Sequence, residues 1–171
     1  VARQDATGRY LNDPLFGMTP SVTGRKSPSV INAAYANTLF WDGRATPDFL
    51  DPLTGTPVIT GGAALESQSV APPVSDTEMA HVGQDWNEIT ARLVNATPLR
   101  YSPQVTSALS TWIAGRGYPA LFQEAFGTPE VTPARIAMAI ATYERTLFSN
   151  QAPIDQFVVG QPPPLTQQEL N

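Results

Sequence analysis

Few side chains in this sequence are equipped for nucleophilic or metal chemistry, and their inventory narrows what the chain can do. There is one histidine, His81, and no cysteine. Without thiols the 171 residues form no disulfide, no thiolate metal centre, no iron–sulfur cluster and no Cys-x-x-Cys-His haem attachment. A single imidazole also excludes metal sites built from several. Proton transfer is left mainly to carboxylates, of which Glu78, taken alone, reads as an exposed loop side chain. Phe40-Trp41-Asp42-Gly43-Arg44 reads as a buried aromatic followed by a tight turn, across which Asp42 and Arg44 can pair. Lys26, the sole lysine, reads as an exposed loop residue, and His81 as a polar loop histidine. Asn95-Ala96-Thr97 matches a glycosylation sequon by spacing alone.

The length suits one domain, or one large piece of a domain, since two independent cores need more chain. The net charge is −5, and the basic residues, all arginines except Lys26, are scattered singly. That distribution argues against a phosphate-binding stripe, so nucleic acid is not an expected partner. No stretch approaches the roughly 20 apolar residues of a membrane span, and the N-terminus lacks the basic flank and apolar run of a signal peptide. Because the chain starts at Val1, either a leader has been removed or the numbering begins inside a larger product.

Apolar periodicity places the elements that must position these groups. Val1 to Lys26 carries Gly8, Pro14, Gly17, Pro20 and Gly24 and reads as loop. Ser27-Pro28 resembles an N-cap with proline in the first turn, which predicts a short helix through Ser29 to Asn37. Thr46 to Gly62, rich in proline, glycine and threonine, is expected to be a surface loop. Asp85, with Glu88 three residues on, opens a helix to about Asn95 in which Ile89 and Leu93 are apolar. Further helices are expected over Val105 to Ala114 and Pro119 to Phe126. A helix opening at Thr132-Pro133 should align Ile136, Ile140, Tyr143 and Leu147 on one face and end near Ser149. No segment alternates long enough to predict a sheet, so the expected class is all-α with extensive loops. Pro162-Pro163-Pro164 is an expected linker, and Thr166-Gln167-Gln168-Glu169 a capping box that opens another helix. Isolated helices shorter than about 12 residues are marginal in water, so the polypeptide is expected to continue past Asn171, or another chain to complete this element.

Three stretches taken in order carry a resemblance: Arg25-Lys26-Ser27-Pro28-Ser29-Val30-Ile31-Asn32-Ala33-Ala34-Tyr35, Phe40-Trp41-Asp42-Gly43-Arg44-Ala45, and Leu65-Glu66-Ser67-Gln68 through Pro72 to Glu78-Met79. This order resembles the bacterial di-haem cytochrome c peroxidase family, including the related di-haem enzymes that mature a tryptophan-derived quinone cofactor. Tyr118-Pro119-Ala120-Leu121-Phe122, Phe126-Gly127, Arg135-Ile136-Ala137 and Tyr143-Glu144-Arg145-Thr146-Leu147 are similar to the segment leading into that family's second haem domain. The resemblance implies a cytochrome c-like di-haem peroxidase architecture, with residues 1–160 as haem-pocket and interdomain region and 161–171 as linker and start of a second cytochrome c-like domain. It implies haem c as cofactor, hydrogen peroxide as substrate, a small electron-donor cytochrome or copper protein as partner, and a periplasmic location.

The same resemblance assigns roles residue by residue. Glu78 would relay the proton between the two peroxide oxygens, which O–O heterolysis requires. Gln68 would orient the peroxide by hydrogen bonding, Pro72 would shape the distal wall, and Trp41 would assist electron transfer between haems. Arg44 would either pair with Asp42 or meet a haem propionate. Met18 falls in the loop that carries a removable distal histidine in some members, and a thioether can ligate haem iron. His81 follows Glu78-Met79 at a position that is not a ligand in the resembled pattern. Lys26 stands where the family often has a calcium-binding asparagine, and an ammonium cannot donate oxygen to calcium, so the ion is absent or the register differs. The family's two Cys-x-x-Cys-His motifs are expected outside these residues, in the remainder of the polypeptide or in a second chain. The alternative is a haem-free binding or assembly module that keeps the peroxidase-like framework.

Overall fold

The computed structural model describes residues 7, 23, 24, 26–102, 104–160 and 166–170. Met18, Arg25 and Pro162-Pro163-Pro164 lie outside them. Along the chain come a 3-10 turn at Ala33–Tyr35, strands β1 (Phe49–Leu50) and β2 (Pro57–Ile59), helix α1 (Ala64–Ser69) and a second 3-10 turn at Pro72–Val74. Then follow helices α2 (Trp86–Val94), α3 (Ser107–Ile113), α4 (Tyr118–Phe126), α5 (Pro133–Glu144), α6 (Pro153–Val158) and α7 (Gln167–Leu170). The class is mainly helical with long loops, as expected, and one two-stranded sheet is added to it.

Side chains cap three of the helices, at Asp85 and Thr132 as expected and also at Thr106. The Asp85 carboxylate accepts the Glu88 N–H at 2.8 Å, and Thr106 and Thr132 hydroxyls accept the N–H groups of Leu109 and Arg135 at 3.3 Å each. Each satisfies a donor that a first helical turn leaves without an internal partner. At the other end of α4, Gly127 takes φ +82°, the left-handed conformation that closes a helix at little steric cost.

Three local expectations are corrected. The helix over Ser29 to Asn37 shrinks to the turn Ala33–Tyr35, because Asn32 adopts φ +63° and is held there by tertiary bonds. Its N–H donates to the Leu147 carbonyl at 3.0 Å and its side-chain oxygen accepts the Ser149 N–H at 2.8 Å. The loop over Thr46 to Gly62 contains the antiparallel β1–β2 hairpin, with Phe49 opposite Ile59. Asp51 builds its turn by accepting the N–H groups of Leu53 and Thr54 at 2.9 and 3.0 Å, a polar device that hydrophobic alternation does not register. Finally, α5 ends at Glu144 rather than near Ser149, and it buries its alanines rather than its isoleucine stripe. Ala137 and Ala141 are fully buried, whereas Ile140 and Tyr143 are exposed.

The alanine face of α5 packs on α1 and on the hairpin. Phe49, 1% exposed, sits with Ala63, Ala134 and Ala137, and Ile59, Val70 and Met138 close around them. Small side chains let the two helices approach closely, and the large ring of Phe49 fills the space they leave. A second group of buried side chains, Trp86, Ile113, Phe122 and Val131, lies along α2 to α5.

One ion pair joins the ends of the α1–α5 contact. Arg145 donates through Nη1 and Nη2 to the two Glu66 oxygens at 2.7 and 2.9 Å, across 79 residues of sequence, and through Nη2 to the Gly62 carbonyl at 3.2 Å. Glu66 is buried, and the Glu66 hydrogen bond holds the Arg145 guanidinium above its usual pKa. Beside them Glu144 keeps one carboxylate oxygen buried with no hydrogen-bond partner among the described residues. Burial pushes its pKa up, Arg145 opposes that, and the Glu66 charge adds to it.

Two outcomes follow for thermal or denaturant unfolding. Removing one partner of a buried pair strands the other charge, so Arg145→Met should destabilise the protein by about 3 kcal/mol, the low end of such losses because the arginine is partly exposed. Glu144, whose pKa is raised by folding, weakens the native state as pH climbs above the ordinary glutamate range. Glu144→Gln should therefore raise Tm at neutral pH, and the gain should vanish by about pH 4.

Candidate functional site

The residues singled out by the resemblance fall on two stretches that lead into and out of the α1 core. The first is a loop closed by the Leu39–Ala45 bridge, whose two N–H···O bonds measure 3.0 and 3.3 Å. Inside it Phe40 takes φ +65°, a costly conformation for a bulky L-residue, and Gly43 takes φ +69° where glycine is at home. Arg44 stabilises this turn by donating to both Asp42 oxygens at 3.0 and 3.1 Å while its guanidinium stacks 3.7 Å over the Phe40 ring. Arg44 is thus engaged with Asp42, and the carboxyl of Asp42 sits below its usual pKa through the Arg44 hydrogen bonds, which outweigh desolvation. Trp41, expected from sequence alone as a buried aromatic, is instead presented at the tip and is 78% exposed.

The second stretch runs from α1 to α2. Gln68, half-buried, lies near the C-terminal end of α1, and Pro72 opens the 3-10 turn Pro72–Val74 that packs against that helix. The chain then turns on the Ser75 carbonyl, which accepts the N–H groups of Glu78 at 3.0 Å and Ala80 at 2.9 Å. Glu78 is exposed on this turn, and its carboxylate makes no hydrogen bond or ion pair among the described residues. Buried Ala80 anchors the far side of the turn. Gln84 then donates to the Pro73 carbonyl at 2.8 Å, tying the end of the segment back to its start.

His81 lies in the same segment and is not available to iron. Its Nδ1 is 2.9 Å from the Val82 carbonyl, and its Nε2 is 3.0 Å from each oxygen of Glu88 on α2. Glu88 also accepts from Arg92 at 3.4 Å, one turn along α2. The sequence marks Glu88 as half of a capping box, but its carboxylate is spent on His81 and Arg92 while Asp85 alone caps the helix. Sequence reasoning also assigned no role to Asn32, Glu66 or Arg145. A single sequence offers no signal for a pair separated by 79 residues.

A c-type haem needs thiols for attachment and at least one axial ligand. The chain has no cysteine, and among the described residues no cluster of three or more His, Cys, Asp or Glu side chains could hold a metal ion. The exposed Glu78 carboxylate, the half-buried Gln68 amide and the exposed Trp41 indole are of the acid–base, hydrogen-bonding and electron-conducting types that peroxide chemistry at a haem uses.

Comparison with known proteins identifies the family. Residues 4–162 match the family model described as di-haem cytochrome c peroxidase. The chain is 32% identical over 136 residues to the methylamine utilization protein MauG of Methylophilus methylotrophus, covering 80% of this chain and 29% of that protein. It is 31% identical over 146 residues to MauG of Methylorubrum extorquens, covering 85% of this chain and 30% of the relative. It is 26% identical over 154 residues to cytochrome c peroxidase Ccp of Escherichia coli, covering 90% of this chain and 25% of the relative. The chain thus spans between a quarter and a third of the length of these relatives. With nearly its whole length matched, the chain belongs to the di-haem cytochrome c peroxidase family.

Proposed function

We propose that this chain forms the peroxide-facing and interdomain part of a periplasmic di-haem peroxidase that reduces hydrogen peroxide to water with electrons from a small cytochrome or copper protein. Residues 1–160 would be the pocket and interdomain region, and 161–171 the linker and start of a second cytochrome c-like domain. Haem c, attached through residues outside these 171, would supply the redox centre at which the O–O bond is cleaved. No helix among the described residues is long and apolar enough to cross a membrane.

The single observation that carries the reading is the Glu78 carboxylate, exposed on a turn fixed at both ends and engaged by no other side chain among the described residues. A general acid–base must be open to substrate and free of a competing ion pair. Glu78 would take a proton from the nearer peroxide oxygen and return it to the departing one. Gln68 would hold the peroxide by hydrogen bonding, and Pro72 would set the wall between them. Trp41, at the tip of its strained loop, would lie on the electron path between the two haems. Arg44 keeps that loop in shape through Asp42 and Phe40, and Met18 would belong to the same pocket. A second reading, in which the oxidised substrate is a side chain of a partner protein, follows from the resemblance to the related di-haem enzymes that mature a tryptophan-derived quinone cofactor.

Peroxide turnover by the haem-loaded natural protein distinguishes these assignments. Glu78→Gln should lower kcat by roughly two to four orders of magnitude, the usual contribution of general acid–base catalysis, with haem content unchanged. Undiminished turnover would remove Glu78 from the mechanism.

A further inference from the structure

The bonds of His81 carry more than the exclusion of an iron ligand. A backbone carbonyl only accepts hydrogen bonds, and so does an ionised carboxylate. Val82 O and the Glu88 oxygens therefore both require N–H donors, and the ring faces one with each nitrogen at 2.9 and 3.0 Å. With Glu88 ionised, only the doubly protonated imidazolium satisfies both at once. The ring is 10% exposed, so water competes little for either position.

His81 stands three residues beyond Glu78 and joins the turn that carries it to the first turns of α2. Few other bonds hold that turn: the Ser75 carbonyl on one side, and on the other buried Ala80 and the Gln84 bond to Pro73. Glu78 itself contributes none from its side chain among the described residues. Resting on the assignment of Glu78 as proton relay, we propose that His81, as an imidazolium bridging the Val82 carbonyl and Glu88, is a positioning residue that locks the Glu78 turn onto α2.

The clamp is sensitive to pH in a definite direction. The charged groups facing the ring from α2 are Glu88, which attracts its proton, and Arg92, which repels it. The turn Pro72–Val74, also packed on α2, presents no ionisable side chain, and Glu124 on α4 is paired with Arg116. The Glu88 hydrogen bond lifts the His81 pKa above its ordinary 6.5, with the Val82 carbonyl adding to the effect and desolvation opposing it. A histidine raised by folding is charged and clamped below the ordinary value, and the clamp is lost as pH rises through the raised one. Placement of Glu78 should therefore decay as pH rises through the raised His81 value.

The test uses the haem-loaded natural protein, with hydrogen exchange of the amides of residues 75–84 and peroxide turnover each followed from pH 5.5 to 9. In the unaltered protein, exchange corrected for its chemical rate should rise about tenfold with one midpoint above the ordinary histidine value, and kcat should fall with the same midpoint. His81→Gln should exchange quickly and turn over slowly at every pH, without that midpoint, while its haem absorption stays normal. Glu88→Gln should move both midpoints to lower pH. Flat exchange across the range, or an alkaline limb that survives in His81→Gln, would overturn the clamp. Glu78→Gln should keep the unaltered exchange profile, so a loss of its expected kinetic defect would count against the catalytic reading and not against His81.

Discussion

The Glu66–Arg145 pair is the constraint on which the rest of the arrangement depends. It is long-range and bidentate, and it fixes the last turn of α5 against the first of α1. A half-buried pair of this kind adds less net stability than its Coulomb attraction suggests, since both charges were well solvated in the unfolded chain. Its effect is on geometry. Only one register of α1 against α5 lets both guanidinium nitrogens meet both carboxylate oxygens, and α1 leads directly through Gln68 and Pro72 to Glu78. Asn32 adds a second tie to the same end of α5 and so places the Trp41 loop relative to it. Both candidate stretches are thereby referred to one helix end.

The two stretches solve different problems. The Trp41 loop is short, strained at Phe40, and held by an arginine that both pairs and stacks, which suits a residue to be presented in one orientation. The Glu78 turn is made of ordinary backbone bonds and depends on neighbours for its rigidity, which would suit the proton exchange proposed for Glu78. Glu78 makes no side-chain bond among the described residues, while Glu88 in the first turn of α2 pairs with His81 and Arg92.

Much of this was legible in the sequence, and the illegible part has physical causes. Helices α2 and α5 were visible because Asp85 and Thr132 announce their starts locally, through side chains that bond within one turn. The hairpin was hidden because its turn is built from Asp51 and threonines rather than from an alternating pattern. The apolar face of α5 was misassigned since isoleucines dominate any hydrophobic reading, whereas contact between helices selects for alanine. Gln68, Pro72, Glu78 and Trp41 could be named only as a pattern spread over several segments. Their supports, Glu66 with Arg145, Asn32 with Ser149 and His81 with Glu88, could not, because nothing in one sequence links residues that meet only after folding.

The alanine face of α5 has a consequence for how this scaffold can vary. A helix that touches its neighbour through methyl groups acts as a spacer of fixed thickness: it cannot be thinned, and any branched replacement at Ala137 or Ala141 widens the gap by more than a rotamer change can absorb. The widening would be passed along α1 as a rigid displacement to the peptide that bears Gln68, Pro72 and Glu78. Drift in sequence at this seam is therefore translated into drift in the alignment of the proposed proton relay, so two of the plainest residues in the chain become the ones that calibrate it.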